Sequence, residues 1–191
     1  MVAPKTILLH SCCAPCAIYP LERLSEEGYS PRCFFYNPNI HPYTEFKRRL
    51  DTMKVFMLDT GVDALIDGSY GLDAFLRTVY GSQDRCVLCY EMRLFETARV
   101  CAEQNLQRFT TTLLYSKHQR HDVIADVCRR AASEHGVEFV YMDFREGWKK
   151  GIDESRRMGL YRQQYCGCIF SEQERYVAGE KRTTGKREKG R

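Results

Sequence analysis

The sequence predicts an α/β protein built on a five-stranded, parallel, doubly wound sheet. Three observations lead there. Short apolar or β-branched runs alternate five times with segments whose apolar residues are spaced by three or four. No internal repeat interrupts that alternation, and alternating strands and helices form a parallel sheet with helices on its faces. Finally, cysteines crowd directly behind the first strand-like run, where such sheets open their ligand crevice.

Thr6–His10 is the first strand, and Ser11–Cys16 follows as a loop. A helix then carries Ile18, Leu21 and Leu24 on one face and stops at Gly28. Arg32–Tyr36 is the second strand. Asn37–Pro42 must be irregular, because its two prolines cannot donate to a ladder. Tyr43, Phe46, Leu50, Met53 and Met57 mark a second helix, Ala64–Asp67 a third strand, and Leu72, Phe75, Leu76 and Val79 another helix. Cys86-x-x-Cys89 opens a long helix lined by Leu88, Met92, Phe95, Ala98 and Ala102, and a helix start favours thiolate over thiol. Phe109–Leu114 is the fourth strand and Tyr115–Asp122 a polar loop. A helix with Ile124, Val127 and Ala131 ends before Gly136, and Glu138–Met142 is the fifth strand, with Asp143 just past it. A basic helical stretch, Lys149–Arg157, leads to Tyr161–Cys168.

The 191 residues suffice for one good core, and residues 1–180 are expected to form one catalytic domain. The net charge of +4 is uneven: residues 181–191 hold six Lys/Arg against Glu188, so the rest of the chain is nearly neutral. That tail reads as a disordered basic arm able to touch phosphates. No apolar run reaches membrane-spanning length, and Met1–Lys5 leads straight into a strand. The expectation is a cytoplasmic protein with no membrane partner, whose ten cysteines serve metal or redox chemistry rather than a disulfide framework.

Seven of those ten fall in three short clusters: Cys12-Cys13-x-x-Cys16, Cys86-x-x-Cys89 and Cys166-x-Cys168. Short spacings let neighbouring sulfurs face one centre while distant loops supply the rest. Seven are too many for one tetrahedral ion and one short of filling two with sulfur alone. An iron–sulfur cluster with one further metal, or with a spare redox-active thiol, fits the count. Structural zinc fits less well, since Cys86 and Cys89 make one knuckle but neither other cluster makes a good second. Because neighbouring side chains diverge, Cys12 and Cys13 are expected to face different partners. Cys33, Cys101 and Cys128 read as buried inert thiols and His10 as a satisfied core histidine. Asp67 and Asp143, past strand ends, are candidate oxygen ligands whose commoner role is capping. No G-x-G-x-x-G or G-x-x-x-x-G-K-[ST] occurs, so ATP and NAD are not expected at the first strand–helix turn.

At HSCCAPC (10–16), YNPNIHP (36–42), RCVLCYEMRL (85–94), TTLLYS (111–116) and YRQQYCGC (161–168) the chain closely resembles the QueH family, the cobalamin-independent epoxyqueuosine reductases. The resemblance runs from about residue 5 to 175 and leaves out the tail. It implies a fold related to the adenine-nucleotide α-hydrolases (HUP-like), with Ser11–Cys16 in place of their phosphate loop. It also implies a 4Fe–4S cluster and a nearby mononuclear iron, held by Cys12, Cys13, Cys16, Cys86, Cys89, Cys166, Cys168 and an aspartate, for which Asp143 is the candidate. The implied reaction removes the epoxide oxygen of epoxyqueuosine at the wobble position of GUN-anticodon tRNAs, the last step to queuosine. That deoxygenation needs two protons and two electrons, the latter from an external donor. Cys13 and Asp143 are the catalytic candidates. Tyr115, Ser116, Trp148 and Tyr161 are candidates for holding the unpaired base. Two alternatives stay open: an ATP-dependent iron–sulfur enzyme that thiolates tRNA, and a non-catalytic zinc protein that binds RNA.

Overall fold

The computed structural model describes residues 5–177, and the α/β expectation holds in it. Five parallel strands, β1 (Lys5–His10), β2 (Tyr29–Phe35), β3 (Ala64–Ile66), β4 (Arg108–Thr111) and β5 (Glu138–Phe139), form one sheet in the order β3-β2-β1-β4-β5. The helices include α1 (Ala14–Glu26), α2 (Tyr43–Thr60), α3 (Leu72–Val79), α4 (Arg85–Glu103), α5 (His121–His135) and α6 (Trp148–Arg157), and the chain is helical again over 169–177. The predicted basic tail lies outside the described residues. No helix among the described residues is long and apolar enough to cross a membrane.

The central strand explains its own composition. Ile7, Leu8, Leu9 and His10 are all fully buried, as a strand covered on both faces requires. Helix α1 packs with α2 and α6, and α4 packs with α3 and α5, so the sheet is covered by two layers. His10 pairs with Phe34 of β2 on one side and Thr111 of β4 on the other. Strand order therefore reverses between β1 and β4, and the crevice opens beyond their carboxyl ends.

Strand β2 begins three residues earlier than the sequence reading, at Tyr29, and three other boundaries differ for a local reason. Strand β4 stops at Thr111 and the chain enters a 3-10 turn over Thr112–Tyr115, because the Thr111 hydroxyl accepts the Leu113 N–H at 3.1 Å. With that turn in place, β5 finds ladder partners only for Glu138 and Phe139, and the predicted Glu138–Met142 strand is short. Helix α1 begins at Ala14, with Pro15 in its first turn, so Cys16 sits on the helix and not in the loop.

Candidate metal centre

The first strand–helix turn draws three sulfurs together. Cys13 is the extended residue preceding α1, and its Sγ lies 3.9 Å from that of Cys12 and 2.8 Å from that of Cys16. All three Sγ atoms fall within 4.8 Å of one another. Two thiolates on one metal at ~2.3 Å bonds sit roughly 3.8 Å apart, so the triad has the size of a metal site. The expectation that Cys12 and Cys13 diverge is corrected here: the turn from β1 into α1 folds both side chains onto Cys16. The Cys12 thiol is held well below its usual pKa by hydrogen bonds from Cys13 and Cys16, and Thr112 Oγ1 adds a contact at 3.4 Å. Burial and then Cys12 push Cys13 up, while hydrogen bonds with Cys12 and Cys13, and then burial, push Cys16 up. The three thiols thus shift in opposite directions, and a bound cation would displace protons from them. Gln163 Nε2 reaches Cys13 Sγ at 3.1 Å and Cys16 Sγ at 3.4 Å.

The other four cysteines form a looser group from distant parts of the chain. Asp84 caps α4 by accepting the Val87 N–H at 3.3 Å, which sets Cys86 and Cys89 on the first turn. Cys166 and Cys168 lie close enough to raise the pKa of both. The predicted thiolate preference at this helix start is overturned: burial first, then the neighbouring sulfurs, pushes Cys86 up and Cys89 to about 12. The Cys166-Gly167-Cys168 loop is clamped from below. Arg49 donates from Nε to Glu45 Oε1 at 2.7 Å and from its two Nη atoms to the carbonyls of Cys166 and Tyr165, each at 3.0 Å. Tyr165 donates to the His41 carbonyl at 2.6 Å, and His41 N–H donates to Gly167 O at 2.7 Å. Gly167 has φ +136°, and a Cβ there would stand 3.2 Å from both Arg49 Nη1 and Ile40 Cγ1, so only glycine threads this spot. These contacts explain why the irregular 37–42 segment and the 161–168 segment occur together.

Between the two groups lies a cavity of about 400 Å³ whose wall includes Cys12, Cys16, Cys166, Arg93, Thr112, Gln119, Trp148, Arg162, Gln163 and Arg175. Among the described residues no Asp or Glu lines it. A larger hollow of about 650 Å³, at Asn105–Arg108 and Gly136–Glu138, is an open groove without a cysteine. Tyr90 donates to Gln119 Oε1 at 2.7 Å, and Gln119 Nε2 then donates to Cys166 Sγ at 3.3 Å. All ten cysteines are free thiols.

The predicted substrate residues separate. Ser116 and Trp148 line the cavity. Tyr115 also lines it but is buried, packs against Trp148 at 5.1 Å and donates to the Trp148 carbonyl at 3.0 Å. A Cβ on Gly151 would stand 2.3 Å from the Tyr115 hydroxyl, so that ring is locked in place. Tyr161 does not line the cavity; its hydroxyl donates to Glu45 Oε2 and reinforces the Arg49 clamp. Asp143 is exposed outside the cavity wall, where Arg145 grips both its oxygens and holds its pKa down to about 2. Asp67 turns its carboxylate onto the Ser69 N–H at 2.8 Å. His10 accepts from Thr111 at 2.9 Å and donates to the Tyr36 carbonyl at 3.2 Å, so it is a satisfied neutral core histidine, as expected. Sequence reasoning passed over Arg93, Gln119, Gln163 and Thr112. Arg93 was discoverable, since Cys86, Cys89 and Arg93 are spaced to share one helix face.

Comparison with known proteins matches this arrangement. A family model described as "Epoxyqueuosine reductase QueH" covers residues 7–174. A protein of that name from Dehalococcoides mccartyi is 37% identical over 92% of this chain and 96% of its own length. One from Thermotoga maritima is 29% identical over 89% of this chain and 92% of its own length. Among solved structures, a predicted subunit of tRNA methyltransferase from Methanocaldococcus jannaschii superposes with a TM-score of 0.53 at 9% identity, covering 78% of this chain and 74% of its own, a likeness of fold alone. Matched over most of its length by that family model and by relatives of that name, this chain belongs to the epoxyqueuosine reductase QueH family.

Proposed function

We propose that this chain removes the epoxide oxygen of epoxyqueuosine at the wobble position of GUN-anticodon tRNAs, with its seven clustered cysteines as metal ligands. The observation that carries the reading is the convergence of Cys12, Cys13 and Cys16 at the β1–β4 crevice, beside a cavity that Cys166 also lines. Cys86, Cys89, Cys166 and Cys168, four sulfurs from two segments of chain, suit a 4Fe–4S cluster. The tighter triad of Cys12, Cys13 and Cys16 would hold a single iron beside the cavity that Cys12 and Cys16 line. When bound, these metals supply electrons one at a time and a Lewis acid for the epoxide oxygen.

The protein's own contribution is placement. A cavity of this volume accepts one extruded base, and the half-buried Trp148 offers it an indole face. Ser116, Gln119 and Gln163 provide polar contacts for the base and its substituent. Arg162 and Arg175 line the same cavity without a carboxylate partner among the described residues, free to hold flanking phosphates. With no carboxylate in the wall, His118, edge-on to Trp148 at 5.7 Å, is placed to deliver a proton from a ring N–H to the departing oxygen. Asp143 stays with Arg145 and takes no part.

The balance is two electrons and two protons in, one alkene and one water out, with an external one-electron reductant as donor. The test is anaerobic incubation of metal-loaded protein and dithionite with an anticodon stem-loop carrying epoxyqueuosine, read by mass spectrometry of the nucleosides. Loss of one oxygen without added ATP is expected. An unchanged substrate, with iron and sulfide present, would contradict the reading.

A further inference from the structure

Two arginines are almost completely buried, Arg49 at 2% and Arg93 at 1% exposure, and their surroundings differ in kind. Arg49 is neutralised by Glu45 and spends its remaining donors on two carbonyls. Arg93 pairs with no carboxylate among the described residues. Its Nε donates to the Cys89 carbonyl at 3.1 Å, its plane lies over Tyr90 at 5.9 Å, and its Nη2 is buried with no partner. An uncompensated buried charge is among the costliest features a fold can carry. It persists where an anion belongs beside it.

Beyond the Cys89 and Tyr90 contacts, Cys166 of the four-cysteine group and Cys12 of the triad lie near enough for their charge to be felt at Arg93. In the cavity wall it stands with Cys12 and Cys166, one sulfur from each group. Neutral thiols would not offset its charge. A metal–thiolate assembly would, because four thiolates outweigh the charge of the cluster core they hold.

We propose that Arg93 is the fixed positive charge shared by the two cysteine groups, a positioning residue that sets how readily their metal accepts an electron. The inference rests on the cofactor reading given above. A cation beside the cluster stabilises its reduced, more negative form and raises its reduction potential.

The experiment compares wild type with Arg93→Met, Arg93→Gln and Arg93→Lys, all purified without air. Iron and sulfide analysis comes first, then a redox titration followed by EPR. Arg93→Gln keeps a donor for the Cys89 carbonyl without the charge, and Arg93→Lys keeps the charge without the planar fork. The expected result is a cluster in every protein. Met and Gln should be at least tenfold harder to reduce, a shift of about 59 mV for one electron, with Lys close to wild type. Potentials equal to wild type in a metal-loaded Met or Gln variant would overturn the proposal. So would loss of metal in all three variants, Lys included, which would make Arg93 a packing residue. A wild-type protein without iron and sulfide would instead overturn the cofactor reading, and this inference with it.

Discussion

The triad and the four-cysteine group reach their places by opposite routes. Cys12, Cys13 and Cys16 are set by seven consecutive residues, His10–Cys16, that run from the end of a buried strand into the first turn of α1, and their sulfurs meet within 4.8 Å unaided. Cys86, Cys89, Cys166 and Cys168 come from segments about 80 residues apart, and half of the group depends on a clamp built by Glu45, Arg49, His41 and Tyr165. The triad is a property of local structure. The second group is a property of tertiary packing, so disturbances remote in sequence should reach it first.

The largest expected effect separates ligand from scaffold. Cys13→Ala should abolish turnover and leave tRNA binding intact, whereas Cys128→Ala, a buried thiol on α5, should retain turnover. Comparable activity in both variants would mean that clustering carries no chemistry. Next comes the clamp. Arg49→Met strands Glu45 in the interior and should cost roughly 3–5 kcal/mol in thermal or denaturant unfolding. The same variant should lose sulfide and most of its iron, since the Cys166–Cys168 loop loses its anchor. Retention of the full complement would show that the loop holds itself.

Acid should act on the same side of the molecule. His41 is 1% exposed, its ring lies 5.0 Å from Phe75 and 5.6 Å from Tyr70, and neither ring nitrogen has a partner. Burial lowers its pKa to about 4. Below its ordinary pKa the unfolded chain takes up a proton that the folded chain refuses. The stability His41 contributes is therefore complete above about pH 6.5 and lost as the pH falls toward 4, on the order of 2–3 kcal/mol. His41→Phe should reduce the slope there and leave the part due to His10, whose pKa burial also lowers to about 4; an unchanged slope would assign all of it elsewhere. The smallest effect concerns the cavity mouth. Arg162→Gln with Arg175→Gln should weaken stem-loop binding at every sequence and reduce the salt dependence by about one counterion per arginine. An unaltered salt slope would place the phosphates elsewhere.

What the sequence made legible follows the same division. The five strands, the helix start at Cys86 and the gathering of cysteines behind β1 were readable because period, capping and short spacing are local. The meeting of Cys12 with Cys13 was not, because it depends on where α1 begins, and Pro15 moved that start by a turn. Asp143 looked available because a carboxylate past a strand end carries no mark of its partner; Arg145, two residues on, had already claimed it. Tyr161 looked like a stacking platform, yet it serves Glu45, 116 residues away in the chain. Arg93 lay in plain view one turn past Cys89, but its missing counter-charge exists only in three dimensions.

The central claim is that the two cysteine groups hold two different centres. The most direct measurement is the iron, zinc and acid-labile sulfide per chain of protein purified without air, beside a variant with Cys12→Ala, Cys13→Ala and Cys16→Ala together. About four sulfides and about four to five irons are expected in the wild type. The triple variant should keep its sulfide and lose no more than about one iron. Stoichiometric zinc without sulfide, or a triple variant stripped of sulfide, would contradict the account.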